Sequence, residues 1–477
     1  MKKLVTWILG IAFIILLNGC QPEEVTPTMI DQYRITPYLT KGDQSQLLAM
    51  QDVITTSLDA EEKLFTVLLD LQKTYQTMDG FGAAMTESSA YVMSQLPEEV
   101  QESLINDLFG QDGIGISFIR LPMGASDFAL SNYSYNDIPA GQTDLSMSQF
   151  SIARDEIYVI PMIKRAQEKN PGLLFMGSPW SAPAWMKTTQ TMNGGSLIPD
   201  YFDAYATYFV KFIQAYQAQG IPIYAVTPQN EPLHQTTGYP TMYMTANDQA
   251  VFIQRLGQQF QANNLETLII AYDHNWTNPY PVNVVGNPLA NPYVDGAAYH
   301  CYGGDVSSQD TFHKLYPEKG IWFTECSGGD WATDFASNMS WNLENVFIGS
   351  INYHAKGVLM WNLALDDNDG PTNGGCMNCR GVVTVHEDGT YTKNEEYYMI
   401  GHFSKFVKQG ATRIDVSSTH ASLLMTGFIN PDGSIVLVAH NKSRSQISFT
   451  LDIGGARAAM TLSGSTTASY VIEKLSA

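Results

Sequence analysis

From about residue 78 the chain repeats one unit: a short apolar run, a polar loop, then a stretch whose apolar positions recur at three and four residues. The runs are MDGFGAAM (78–85), GIGISFIRLPMG (113–124), LLFMGSPWS (173–181), IYAVTPQNEP (223–232), TLIIAYDHNW (267–276), GAAYHCYGG (296–304), GIWFTECSGG (320–329) and GVLMWNLAL (357–365). A strand buried on both faces reads as such a continuous run. The helical intervals are typified by FDAYATYFVKFIQAYQAQG (202–220), which Gly220 closes. Eight strands alternating with helices predict an α/β fold, a (β/α)₈ TIM barrel over 78–409. After 410 the period changes: ASLLMTGFI, SIVLVAHN, SQISFTLDI and TASYVIEKL are strands joined by turns such as NPDG, with no helical interval. That predicts an attached antiparallel β-sandwich over 410–477. Residues 46–77, containing LFTVLLDLQ, read as strands that join it.

The first residues follow neither pattern. MKK precedes the apolar stretch LVTWILGIAFIILL, short for a membrane span, and LNGC follows. Residues 1–19 read as a lipoprotein signal peptide with Cys20 as the lipidated residue, and an ordinary secretory signal is the alternative. Residues 20–45, rich in Pro, Thr, Gln and charge, read as a tether. The acidic QPEE behind Cys20 resembles an export tag of surface lipoproteins, so the expected location is the bacterial outer membrane, facing outward, with the membrane reached through that lipid.

Charge narrows the ligands. The chain carries −21, and loss of a leader holding Lys2 and Lys3 makes it more acidic still. Such a surface repels nucleic acid and polyanionic glycans and favours neutral ligands. Cys376 and Cys379, a C-x-x-C within GGCMNCRG, read as a local disulfide in an oxidising compartment; no second pair completes a zinc site. Cys301 and Cys326 fall on successive strands and read as two small core residues. No metal-ligand spacing and no Gly-rich phosphate loop is present, so neither metal nor cofactor is expected.

In such a barrel the chemistry gathers at the C-terminal strand ends. Those ends carry Arg120 and Asp127, Trp180, Asn230 and Glu231, Asp273 and His274, His300 and Tyr302, Glu325, then Trp361 and Asn362. Aromatic faces stack on sugar C–H faces, and Asn, Asp and Arg read hydroxyls; this is the composition of a pocket for a neutral sugar. Two carboxylates at buried strand ends, Glu231 and Glu325, supply the proton donor and the nucleophile or base that glycoside cleavage needs. A helix cap or a structural ion pair is the plainer role for either acid, and His300 and Arg120 have structural roles available as well.

The motifs GFGAAMTESSA, IRLPMGASDF, GSPWSAPAWMKTT, VTPQNEP, AAYHCY, FTECSGG, WNLALDDNDGP and GHFSKFVKQGATRI, in order from about 75 to 415, resemble the family 30 glycoside hydrolases. That family contains lysosomal glucosylceramidase and microbial β-1,6-glucanases. The resemblance implies a retaining β-glycosidase acting by double displacement, with Glu231 as acid/base and Glu325 as nucleophile. It implies that Asn230 binds the sugar 2-hydroxyl, and that Arg120, Asp127, Trp180, His300, Tyr302 and Trp361 line the glucose subsite or orient the nucleophile. Tyr239, in TTGYP, resembles a tyrosine placed near the nucleophile. The loop NGGCMNCRG departs from the glucosylceramidase form. The expected substrate is a neutral β-glucan, cut endo-wise at β-1,6 linkages by a monomer. The alternatives are an exo-β-glucosidase or glucosylceramidase and, in another class, a non-catalytic surface glycan-binding protein.

Overall fold

The computed structural model describes residues 31–57 and 59–475. The signal peptide, Cys20 and the first part of the tether lie outside the described residues.

Eight parallel strands close into a barrel in chain order: Gly80–Ala84, Phe118–Pro122, Leu174–Ser178, Ala225–Val226, Leu268–Trp276, Gly296–Gly304, Gly320–Glu325 and Ala355–Asn362. Each coincides with one of the apolar runs, the eighth starting two residues ahead of its run, because a strand enclosed by side chains inside and helices outside has no polar face to show. Phe118, Met176, Ala225, Ile270, Ala298, Trp322 and Leu359 form a separate buried cluster drawn from seven of these strands. The predicted helix is present as Phe202–Ala218, burying its aromatic face.

The second unit is one ten-stranded sheet folded over its own core. Phe65–Thr77 lies between Thr412–Ser418 and Ile447–Ile453. One expectation fails here. The stretch taken as tether up to residue 45 contains a strand, Tyr33–Lys41, paired along its whole length with the last strand, Thr466–Lys474. Tyr33 and Ile35 are buried in the sandwich core. Pro37 makes the segment look irregular in sequence. The strand tolerates it because the side that Pro37 would serve holds only the short strands Ala49–Met50 and Ile54–Thr55. The two units are joined by polar bonds as well as apolar packing: buried His402, on the helix Glu395–Ser404, meets Ser469 and Thr40 Oγ1, each at 2.8 Å. Burial, then His440, pulls that imidazole down to about 3, so it serves as a neutral clamp.

Candidate active site

Arg120, the third residue of the second strand, organises the barrel mouth. Its guanidinium is fully buried and donates to Glu325 Oε2 at 2.5 Å, Asn230 Oδ1 at 2.7 Å, Asp273 Oδ2 at 2.9 Å and Ser178 Oγ at 3.2 Å. Four strands thereby converge on one cation. Only a planar fork reaches acceptors spread in this way. The Trp180 and Trp361 rings stack on each other at 4.9 Å, and the guanidinium carbon lies 4.8 Å and 5.5 Å from them.

Asp273 is the anionic counterpart. Its carboxylate accepts from Arg120, Ser178 (2.5 Å), Thr227 (2.7 Å) and Thr324 (2.7 Å), and meets His300 Nε2 at 3.0 Å. Burial opposes its charge, but Arg120 and His300 outweigh burial and hold the carboxyl well below the usual range. The chain turns to place it: Tyr272 and Asp273 have φ of +78° and +66°, and Glu231, whose backbone N–H donates to the Asp273 carbonyl at 2.9 Å, has φ of +45°. Left-handed backbone at three non-glycine residues is strain held at one spot by the surrounding packing.

The two glutamates face each other across His300. Its Nδ1 lies 3.3 Å from Glu231 Oε1 and 4.0 Å from Glu325 Oε1. Tyr302 donates to Glu325 Oε1 at 3.1 Å. His274 Nδ1 is also 3.3 Å from Glu231 Oε1, but out of line for a hydrogen bond, so it acts by proximity. Burial raises the proton affinity of both acids. At Glu231 the imidazoles of His274 and His300 outweigh it and the carboxyl is pulled down. At Glu325 burial, with the charges of Glu231 and Asp273, outweighs His300 and Arg120, and the carboxyl is raised. Burial lowers His300, yet Glu325, Asp273 and Glu231 push it up to about 9.

These shifts belong to one shared proton. With His300 raised and Glu231 lowered, the imidazole is the favoured holder, and its Nδ1 lies 3.3 Å from Glu231 Oε1. Moving it along that 3.3 Å contact leaves a neutral imidazole whose Nε2–H still serves Asp273, and makes Glu231 an acid.

The remaining predicted residues gather around this pair. Asp127 is buried and pushed up to about 8, by burial first and then by Glu325. Gly375 packs so tightly on it that a Cβ there would lie 2.2 Å from Asp127 Cβ, which fixes a glycine in the NGGCMNCRG loop. Tyr239 packs with Trp180 and Trp361, but its hydroxyl pairs with His234 at 2.8 Å; the tyrosine on Glu325 is Tyr302. Asn362 accepts from Thr86 at 2.8 Å, and its Nδ2 has no partner. Cys376 and Cys379 are bonded, and so are Cys301 and Cys326, in place of two separate core thiols. That second bond follows from register, since strands six and seven pair side by side up to His300 and Glu325, the residues just before the two cysteines. Sequence reading also missed a cluster suited to a cation: Glu231, His274 and His300 bring their ligand atoms within 4.8 Å of one another. A divalent ion there would take the place of the shared proton. Ser178, Thr227 and Thr324, which complete the Asp273 shell, carry no sequence signal beyond their place near strand ends.

A (β/α)₈ barrel with two facing carboxylates, an arginine fork and stacked indoles at its mouth defines a glycosidase of the acid/nucleophile type. Residues 78–407 match the glycosyl hydrolase family 30 TIM-barrel domain and residues 410–470 the family 30 beta sandwich domain; the chain belongs to glycosyl hydrolase family 30. It is 37% identical over 397 residues to an endo-1,6-beta-D-glucanase of Neurospora crassa, covering 79% of this chain and 81% of that one. It is 33% identical over 412 residues to the lysosomal acid glucosylceramidase of Mus musculus, covering 81% and 79%. A solved endo-beta-1,6-glucanase superposes with a TM-score of 0.85 at 35% identity, over 92% of this chain and 99% of that one.

Proposed function

We propose that this chain is a retaining endo-β-1,6-glucanase in which Glu325 is the nucleophile and Glu231 the acid/base. The observation that carries it is the pair itself: Glu231 Oε1 at 3.3 Å and Glu325 Oε1 at 4.0 Å approach the same imidazole nitrogen, so one barrel mouth holds the proton donor and the nucleophile that glycoside cleavage needs. Glu325 attacks the anomeric carbon while Glu231 protonates the leaving oxygen. The glycosyl–enzyme ester is then cleaved by water, whose proton returns to Glu231. Ester formation removes the Glu325 charge, which is among the causes that raise His300, so the site releases its proton more readily once the leaving group has gone. Arg120 and Tyr302 orient Glu325. Asn230, Asp127, Trp180, Trp361 and Asn362 hold the sugar to be transferred, and Tyr239 completes the wall beside the indoles.

The β-1,6 preference is supported by likeness to the fungal enzyme and to the solved structure, both named for that activity. The chain acts as a monomer held at the outer membrane by a lipid on Cys20, a location suited to a polymer too large to import. Product analysis tests this. Purified protein on β-1,6-glucan should give a ladder of gentiooligosaccharides with little turnover of an aryl β-glucoside. Glucose alone, or activity confined to the small substrate, would replace the endo-glucanase by an exo-β-glucosidase.

A further inference from the structure

Beside the catalytic pair lies a cleft of about 760 Å³ that the mechanism leaves unused. The Cys301–Cys326 bond and Tyr302 form the wall nearest Glu325, and Trp331, Asp334, Ser337 and Trp341 form the far side. Tyr302 is common to both, since its hydroxyl is the group on Glu325. Trp331 and Trp341 are 56% and 46% exposed, whereas Trp180 and Trp361 are each 3% exposed.

The Trp331 ring is held in place. Trp331 lies over Gly329 so closely that a Cβ there would come within 2.1 Å of its ring. Gly328 and Gly329 pair with Arg380 and Cys379, and the Asp330 N–H donates to the Asn378 carbonyl at 3.1 Å, so this loop is strapped to the cystine loop after strand eight. Trp341 rides on the helix Phe335–Asn342, capped by Asp334, which accepts from the Ser337 N–H at 2.8 Å. Two large apolar rings left half-exposed on one cleft offer flat faces on which a sugar can stack.

Barrel order says what. Asp127 and Trp180 follow strands two and three, and the cleft follows strands six and seven, directly across the mouth. With the transferred sugar among Trp180, Trp361 and Asp127, the chain beyond the scissile bond leaves over Tyr302. We propose that Trp331 and Trp341 are stacking platforms for the glucosyl units on the leaving side of a β-1,6-glucan, which makes the cleft a determinant of polymer preference. This rests on the proposed function above and adds where the polymer lies. Asp334 and Ser337 line the same cleft and offer oxygens to sugar hydroxyls, and its lining holds no lysine or arginine, in keeping with a neutral sugar.

The test compares wild type with Trp331→Ala, Trp341→Ala and the double variant as full mature proteins of unaltered thermal unfolding. Substrates are β-1,6-glucan and an aryl β-glucoside, whose leaving group is too small to span the cleft. Each substitution should lower kcat/KM on the polymer about tenfold, through the loss of one stacking contact, and lower aryl-glucoside turnover far less. Trp331→Phe should recover most of the loss. If wild type leaves β-1,6-glucan intact, the substrate assignment falls and the cleft assignment with it. If wild type cuts the polymer and the alanine variants do so equally well, or lose both substrates in proportion, the cleft assignment alone is overturned.

Discussion

Glu231 and Glu325 are the same side chain at equivalent places, the ends of barrel strands, yet their surroundings differ in kind. Glu325 is held by Arg120, a permanent charge, and by the hydroxyl of Tyr302. Glu231 is held by the imidazole of His300, whose charge depends on pH, with His274 Nδ1 also 3.3 Å away. A permanently charged partner fixes a group's position and charge, while a titratable partner lets it gain and lose a proton. The division of labour between nucleophile and acid/base is thus written in the neighbours rather than in the carboxyls.

The sharpest way to break that contrast is to neutralise each acid in turn. Glu325→Gln should lower hydrolysis of every substrate by on the order of 10⁵-fold while retaining β-glucan binding, measured by turnover and by calorimetric titration. Full activity in this variant would end the nucleophile assignment. Glu231→Ala should cost about 10³-fold on the polymer but much less on an activated aryl glucoside, which needs no proton to depart. Added azide should restore turnover and yield the β-glycosyl azide; an α-product would rule out retention.

The partners come next. Arg120→Met strips the cation from two buried carboxylates, Asp273 and Glu325, and should destabilise the fold by about 3–5 kcal/mol in urea unfolding. Glu325→Gln, which leaves Asp273 on the same guanidinium, should cost much less. On the other side, the pH profile of kcat/KM should show an acid limb above 4.5, from Glu325, and a basic limb approaching 9, from the proton shared by Glu231 and His300. Because His300 is raised in the fold, the stability it contributes is full below pH 6.5 and is lost as pH rises towards 9. His300→Gln should move the basic limb down towards neutrality and, because the His300 charge also lowers Glu325, move the acid limb up. An unmoved basic limb would mean that the shared proton is not the one the reaction uses.

Much of this site was legible because buried parallel strands write themselves as apolar runs, and each run ends where the barrel opens. Position marked Glu231, Glu325 and Arg120 as candidates at the barrel mouth, and the motifs around them supplied their expected roles. Asp273 was visible as a strand-end acid but not as the hub, because LIIAYDHNW offers Asp273 and His274 side by side. The left-handed turn at Tyr272 and Asp273 that sends one inward has no glycine to announce it. Tyr33–Lys41 escaped for another reason: its pairing partner is the opposite end of the chain, and no local pattern encodes a contact of that range. Trp331 and Trp341 sit in a loop and a helix outside the repeating strand motif, so only the fold places them beside Glu325.

The two disulfides carry the same contrast at smaller scale. Cys301–Cys326 closes a loop of sequence separation 25 and ties strand six to strand seven directly behind Glu325; Cys376–Cys379 spans a separation of 3 within one loop. If cross-links act mainly by restricting the unfolded chain, the longer closure is worth about 3.5 kcal/mol and the shorter about 2 kcal/mol. Replacing Cys301 and Cys326 by serine should therefore lower unfolding free energy more than replacing Cys376 and Cys379. It should also slow polymer cleavage, since the bond forms a wall of the tryptophan cleft. Equal destabilisation by the two double variants would show that local packing, and not loop closure, sets their worth.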